Sequence, residues 1–151
     1  MLRAATAEDK TAVATVLIES RREYLPYARS AHPESDVHRW VGAQLITNNR
    51  VFVWDEEVRI VGVLAVSPPG TESWINQLYV LPGWTGREIG SSLLRHAHKL
   101  LIPPIQLWTF QANTGARRFY ERHGYQVAEF TDGQFNEERC PDVRYIWESF
   151  R

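Results

Sequence analysis

The sequence predicts one α/β domain with a mixed central β-sheet flanked by about four helices. Three observations carry this. Segments with helical and strand periodicity alternate in the order β-α-α-β-β-β-α-β-α-β-β. The run Ile60 to Val66 is apolar on both faces, as a central strand must be. The chain's 151 residues, 44% of them hydrophobic, suit a single domain over 1–151, with no linker, repeat or low-complexity segment. A chain of that size buries about 68 to 70% of its unfolded surface, so its core needs neither metal nor disulfide.

Each element has a local reason. Leu2 to Ala5 reads as a strand, after which Thr6, Glu8 and Asp9 supply an N-cap and first-turn acids for a helix carrying Val13, Val16 and Leu17. That helix ends near Leu25-Pro26, and Tyr27 to Ser35 reads as a loop. Val37, Trp40, Val41 and Leu45 mark one face of a second helix, ended by Asn48 and Asn49. Val51 to Trp54 and Val58 to Val66 form a hairpin about Asp55-Glu56-Glu57. Trp74 to Val80 is the next strand, followed by a glycine-containing loop and a helix whose Ile89, Leu93, Leu94, Ala97 and Leu101 face inward. Ile105 to Phe110 alternates as a strand, Asn113 caps the last helix, and Gly124 stands where a left-handed terminal residue is required. Tyr125 to Phe130 and Val143 to Trp147 close the sheet around an Asp132-Gly133 turn.

Composition excludes several function classes. Seventeen Lys+Arg against eighteen Asp+Glu, with no basic run, give no counterion-release drive toward nucleic acid. No apolar stretch approaches the ~20 residues that cross a bilayer, and the start lacks a signal-peptide core, so a cytoplasmic protein without a membrane partner is expected. The single cysteine, Cys140, forms no internal disulfide. Beside Asp142 its thiol is held protonated, which disfavours a nucleophile. His96 and His98, two apart on a helix, project to opposite sides and cannot chelate one zinc, so surface positions are expected for both. Trp40, Trp54, Trp74 and Trp108 read as core residues, with Trp108 also placed to face a ligand.

The strongest local signal is the strand, turn and helix start Leu78-Tyr79-Val80-Leu81-Pro82-Gly83-Trp84-Thr85-Gly86-Arg87-Glu88-Ile89-Gly90-Ser91. Free first-turn N–H groups, glycines and about half a positive charge from the helix dipole make such a junction an anion cradle, with pyrophosphate its natural guest. The spacing matches neither a P-loop nor a dinucleotide fingerprint.

These residues resemble the GCN5-related N-acetyltransferase (GNAT) family, whose motif runs V-x-P and then R/Q-x-x-G-x-G/A. Here it reads Val80-Leu81-Pro82 and Thr85-Gly86-Arg87-Glu88-Ile89-Gly90. The family's second segment is matched by Asn113-Thr114-Gly115-Ala116-Arg117-Arg118-Phe119-Tyr120-Glu121-Arg122-His123-Gly124-Tyr125. The resemblance spans essentially the whole chain and implies a sheet splayed between its fourth and fifth strands. It implies that the backbone of Leu78, Tyr79 and Val80 pairs with the pantetheine arm of acetyl-CoA. Thr85, Gly86, Arg87, Glu88, Ile89, Gly90 and Ser91 would receive the pyrophosphate, and Asn113 and Ala116 would contact the arm. Tyr120 would be catalytic, presenting its hydroxyl to the thioester sulfur. Thr85 and Glu88 depart from the motif, and Glu88 adds a carboxylate beside phosphates, where Arg87 is expected to offset it.

The implied activity is direct transfer of acetyl from acetyl-CoA to a primary amine of a small molecule, without metal. Acetylation of a protein lysine or N-terminus and a non-catalytic acyl-CoA sensor are the alternatives, and a homodimer is left open. For the general base, Glu72, Asp132, Glu137 or a water relay are open. The polar segment Thr131 to Glu138, with Tyr24, Tyr27 and His32, is expected to flank the acceptor.

Overall fold

A computed structural model describes residues 1–27 and 33–148 of the protein, with seven strands in one sheet. The strands are β1 (Leu2–Ala4), β2 (Arg50–Asp55), β3 (Ile60–Val66), β4 (Ser73–Val80), β5 (Ile105–Phe110), β6 (Gln126–Phe130) and β7 (Asp142–Trp147), in the spatial order β1-β2-β3-β4-β5-β7-β6. All neighbours are antiparallel except β4 and β5. Every residue of β3 is buried, as its two-sided apolar pattern requires. The strand starts at Ile60 rather than Val58: Glu57 has a left-handed φ of 70°, and the turn it makes leaves Val58 93% exposed.

The first helix, α1 (Lys10–Tyr24), follows a 3-10 turn at Ala7–Asp9, where the Asp9 carboxylate accepts the Thr6 N–H at 2.8 Å. It buries Val13, Val16 and Leu17. Next, α2 (Glu34–Trp40) starts just after Pro33 and continues through a wider π turn, Val41–Leu45, into α3 (Ile46–Asn48). Val41 and Leu45 reach the core, but Trp40 is turned outward and is 37% exposed. None of the four tryptophans expected in the core is fully buried. Trp54 and Trp74 are half-buried, and Trp108 is 44% exposed.

Parallel strands need a crossover, and α4 (Ile89–Leu100) provides it between β4 and β5. The expected inward residues Ile89, Leu93, Leu94, Ala97 and Leu101 are all buried. A Cβ on Gly62 would stand 3.1 Å from Leu93 and 3.3 Å from Ile89, so glycine lets α4 lie close on β3. The other face of α4 overturns the surface expectation for its two histidines. His96 packs against Phe52 at 4.5 Å, and His98 bonds the Tyr125 hydroxyl at 2.8 Å beside Trp147. Among the described residues no helix is long and apolar enough to cross a membrane.

One irregularity positions the site. Ala65 pairs with Gln77 and Val66 with Ile75, so Asn76 is an extra residue in β4. A bulge sharpens local twist. Here it follows directly after the two parallel pairs, Ser73 with Ile105 and Trp74 with Gln106, beyond which β4 and β5 diverge.

Candidate active site

The gap between the diverging strands opens into a cleft of about 1010 Å³, walled by β4, β5, the start of α4 and α5 (Thr114–Arg122), with the end of α1 and the β6–β7 loop at one end. Backbone alternation sets what β4 offers. Leu81 N–H donates to Val61 C=O at 2.8 Å, so Tyr79 turns its amide to β3, while Leu78 and Val80 turn theirs to the gap. The Val80 carbonyl already accepts the Tyr24 hydroxyl at 3.2 Å and the Ser20 hydroxyl at 3.5 Å. What Leu78 presents, and the Val80 N–H, are therefore the main-chain groups left for an extended guest.

The corner after β4 is shaped by left-handed residues. Gly83 and Gly86 have φ of 89° and 77°, and Glu88, the N-cap of α4, has φ 67° and ψ 9°. A glycine is usual in such a conformation because a Cβ crowds the following carbonyl. The first rung of the helix runs from Ser92 N–H to Glu88 C=O at 3.0 Å, leaving the amides of Ile89, Gly90 and Ser91 without a backbone acceptor among the described residues. The space over Gly86 is open, with no atom within 4 Å of a built Cβ. Glu88 is exposed, and the guanidinium of Arg87, the residue expected to offset it, lies 4.8 Å over the Trp84 ring. Ile89 points its side chain into the core, so only its amide faces the corner. Arg95, Arg118, Arg122 and His123 also line this end of the cleft, and His123 Nε2 lies 3.2 Å from Ser91 Oγ. Burial first, then Arg122 and Arg95, lower the His123 pKa, with Glu88 opposing.

Asn113 lines the cleft and caps α5 through Oδ1, which accepts the Ala116 N–H at 3.2 Å, leaving its amide nitrogen without a partner among the described residues. Two turns after Asn113, Tyr120 is only 7% exposed, held edge-on to Phe119 at 5.2 Å and Tyr125 at 5.6 Å. Its hydroxyl bonds no described residue, and the residue lines the cleft. Burial pushes the phenol's pKa well above its usual value, with nearby Tyr79 adding to the shift. It stays protonated at neutral pH and keeps an O–H to donate. Thr85, Gly86, Glu88, Gly90, Ser91, Asn113, Ala116 and Tyr120 share this one cleft with Leu78, Tyr79 and Val80.

At the other end, Arg21 on α1 reaches the Glu138 carboxylate at 3.0 Å and the Tyr79 hydroxyl at 3.5 Å. Tyr24 and Trp108 line the same end, and Tyr27 packs edge-on to Phe110 with centroids 6.5 Å apart. None of the three expected bases, Glu72, Asp132 and Glu137, lines the cleft, whereas Glu138 and Asp142 do. The polar segment pointed to this loop, but the placement of Glu138 depends on a contact invisible in local sequence. A Cβ on Gly133 would meet the Cys140 backbone at 2.4 Å, so the loop closes on glycine. His32 lies outside the described residues.

Comparison with known proteins agrees with this geometry. The Acetyltransferase (GNAT) family profile matches residues 14–125. An Escherichia coli K12 protein named uncharacterized N-acetyltransferase YafP is 28% identical over 117 residues, covering 78% of this chain and 71% of that protein. The PaiA N-acetyltransferase of Thermoplasma acidophilum, solved in complex with coenzyme A, superposes with TM-score 0.79 at 20% identity, covering 99% of this chain and 98% of that one. A GCN5-related N-acetyltransferase structure from Rhodopseudomonas palustris gives TM-score 0.81 at 18% identity, with 99% and 95% coverage. The mixed, splayed sheet is the fold of these enzymes. The chain belongs to the GNAT acetyltransferase family, and it is an acyltransferase of the kind that uses acetyl-CoA.

Proposed function

We propose that the protein moves acetyl from acetyl-CoA directly to the primary amine of a small molecule. The observation that carries this reading is Tyr120, a buried phenol with a hydroxyl unpartnered among the described residues, which lines a cleft with a cradle of free amides at one end and a carboxylate at the other. The amides of Ile89, Gly90 and Ser91, and the open backbone at Gly86, take the pyrophosphate, where helix-terminal N–H groups favour anions. Leu78 and Val80 extend the sheet with the pantetheine arm, and the Asn113 amide adds a donor. Bound acetyl-CoA supplies an electrophilic thioester carbon and a leaving thiolate.

The acceptor arrives as an ammonium of pKa near ~10 and must lose one proton before attack. Its nitrogen then bonds the acetyl carbon as the carbon–sulfur bond breaks and the thiolate leaves, and nitrogen releases a second proton to water, which balances the thiolate's charge. Tyr120 donates to the departing sulfur. A free thiol has pKa ~8.5, below that of a phenol at ~10, and burial widens the difference, so Tyr120 stabilises the thiolate by a hydrogen bond more than by full transfer. The Arg21–Glu138 bridge across the acceptor end favours a compact amine over an extended peptide.

The test incubates acetyl-CoA with a panel of amines and follows released thiol for wild type and Tyr120→Phe. Thiol release that drops in the variant, with coenzyme A affinity kept, is expected. No release above background with any amine overturns the reading.

A further inference from the structure

The acceptor end has its own apolar cluster, separate from the main core: Leu25 and Cys140 are buried there, with Tyr24 and Phe110 packed against them. Strand alternation puts Trp108 on the same face of β5 as Phe110, and Trp108 is 44% exposed. Glu138 stands at the rim of this surface. Its Oε2 takes the Arg21 guanidinium, whereas its Oε1 has no partner among the described residues. The other carboxylate here, Asp142, is already engaged by the Thr131 hydroxyl and the Asn136 amide.

This geometry points to an acceptor that is a primary amine carried on an aromatic ring, seated with its ring against Trp108 and Phe110 and its ammonium on Glu138 Oε1. The inference rests on the acetyltransferase reading above and adds the class of amine. One free carboxylate oxygen suits one positive charge, so a polyamine leaves its second ammonium uncompensated. The local cation, Arg21, is committed to Glu138 and the Tyr79 hydroxyl, so an amino-acid carboxylate finds no counterpart. Broad aromatic faces reward a flat ring over an alkyl chain through both buried area and ring geometry.

The experiment compares 2-phenylethylamine and tryptamine with butylamine, spermidine and phenylalanine as acceptors at saturating acetyl-CoA. The expected kcat/KM for the two aromatic amines exceeds that of the others by about tenfold or more, the factor of one well-made contact. Trp108→Ala and Glu138→Gln should each raise the aromatic-amine KM by about tenfold, with the effect falling on KM more than kcat, and Trp108→Phe should restore most of it. Trp108 is exposed enough that truncation leaves the core intact. Equal or better turnover of butylamine, spermidine or phenylalanine, or an aromatic-amine KM indifferent to Trp108→Ala, overturns the inference while leaving the acetyltransferase reading standing. No thiol release with any amine, despite coenzyme A binding, overturns the acetyltransferase reading itself.

Discussion

Replacing Glu88 by glycine should tighten coenzyme A binding, for two separable reasons. The first is charge: an exposed carboxylate at the mouth of the amide cradle repels the incoming pyrophosphate. At ~4 Å the repulsion is about 1 kcal/mol in water and about 4 at an effective dielectric near 20. Because Glu88 faces solvent the lower figure applies, which is about fivefold in Kd. The second is conformation. Glu88 holds φ 67°, a left-handed state that costs a residue with a Cβ roughly 1 kcal/mol or more and costs glycine little. That relief appears in folding stability, offset by the extra freedom glycine gains when unfolded. Titration calorimetry with coenzyme A at low salt should therefore give a Kd several-fold lower for Glu88→Gly. Glu88→Gln should reproduce most of the gain without the conformational part. Near 1 M salt, where screening falls to about 3 Å, the charge effect should largely vanish. Unchanged or weaker binding by both variants at low salt would refute this reasoning.

Tyr120→Phe should lower kcat by roughly ten- to a hundredfold, the worth of one charge-assisted hydrogen bond to the leaving sulfur. Its thermal midpoint should barely move, since the hydroxyl has no partner in the free protein, and a large loss of stability would argue for a structural tyrosine. Gly133→Ala forces a Cβ to within 2.4 Å of the Cys140 backbone at a φ of 84°, so the loop carrying Glu138 must shift. Amine KM should rise while coenzyme A affinity holds, and a change in coenzyme A affinity alone would contradict the division of the cleft. Acid should destabilise the fold through His96, His98 and His123, whose pKa values are all lowered, chiefly by burial. The unfolded chain binds more protons below ~6.5, so stability is full above that pH and falls as pH drops toward the lower folded values. Thermal midpoints should be level from pH 8 to 7 and decline toward pH 5. His96→Phe, which removes a buried Nε2 lacking a partner, should flatten that decline, and an unaltered slope would exclude His96 as a contributor.

Much of this architecture was legible in the sequence, because its signals are local. The 3.6-residue spacing of Ile89, Leu93 and Ala97 marks α4, Asn113 does cap α5, and Gly124 does adopt a left-handed φ of 92°. The departure at Glu88 was visible as well: a glycine is usual there because the backbone is left-handed. Other features answer to packing. Val37, Val41 and Leu45, four apart, fit an α-helix and a π turn alike, so only tertiary structure turns Trp40 outward. Aromatic residues suit a core and a pocket equally, which is why Trp108 could not be sorted between them. His96 and His98 read as surface residues because nothing local reveals Phe52 or Trp147 packed beside them. Glu138 rather than its neighbour Glu137 lines the cleft, in a loop that packs Gly133 on Cys140, a contact between residues seven apart that no local pattern reveals.

The two ends of the cleft are built from different material, and that difference governs what mutation can change. The corner proposed for the pyrophosphate is made of backbone amides at a helix start, so exchanging Thr85 or Glu88 should tune its charge without removing its donors. The acceptor end is assembled from side chains of α1, β5 and the β6–β7 loop, which meet only in the folded chain. Trp108 is exposed and Glu138 is held by one ion pair, so neither supports the core. Substitutions at these two positions should therefore alter the choice of amine while leaving fold and cofactor binding in place, and in the proposed mechanism Tyr120, where the two ends meet, would serve the same leaving sulfur whichever amine attacks.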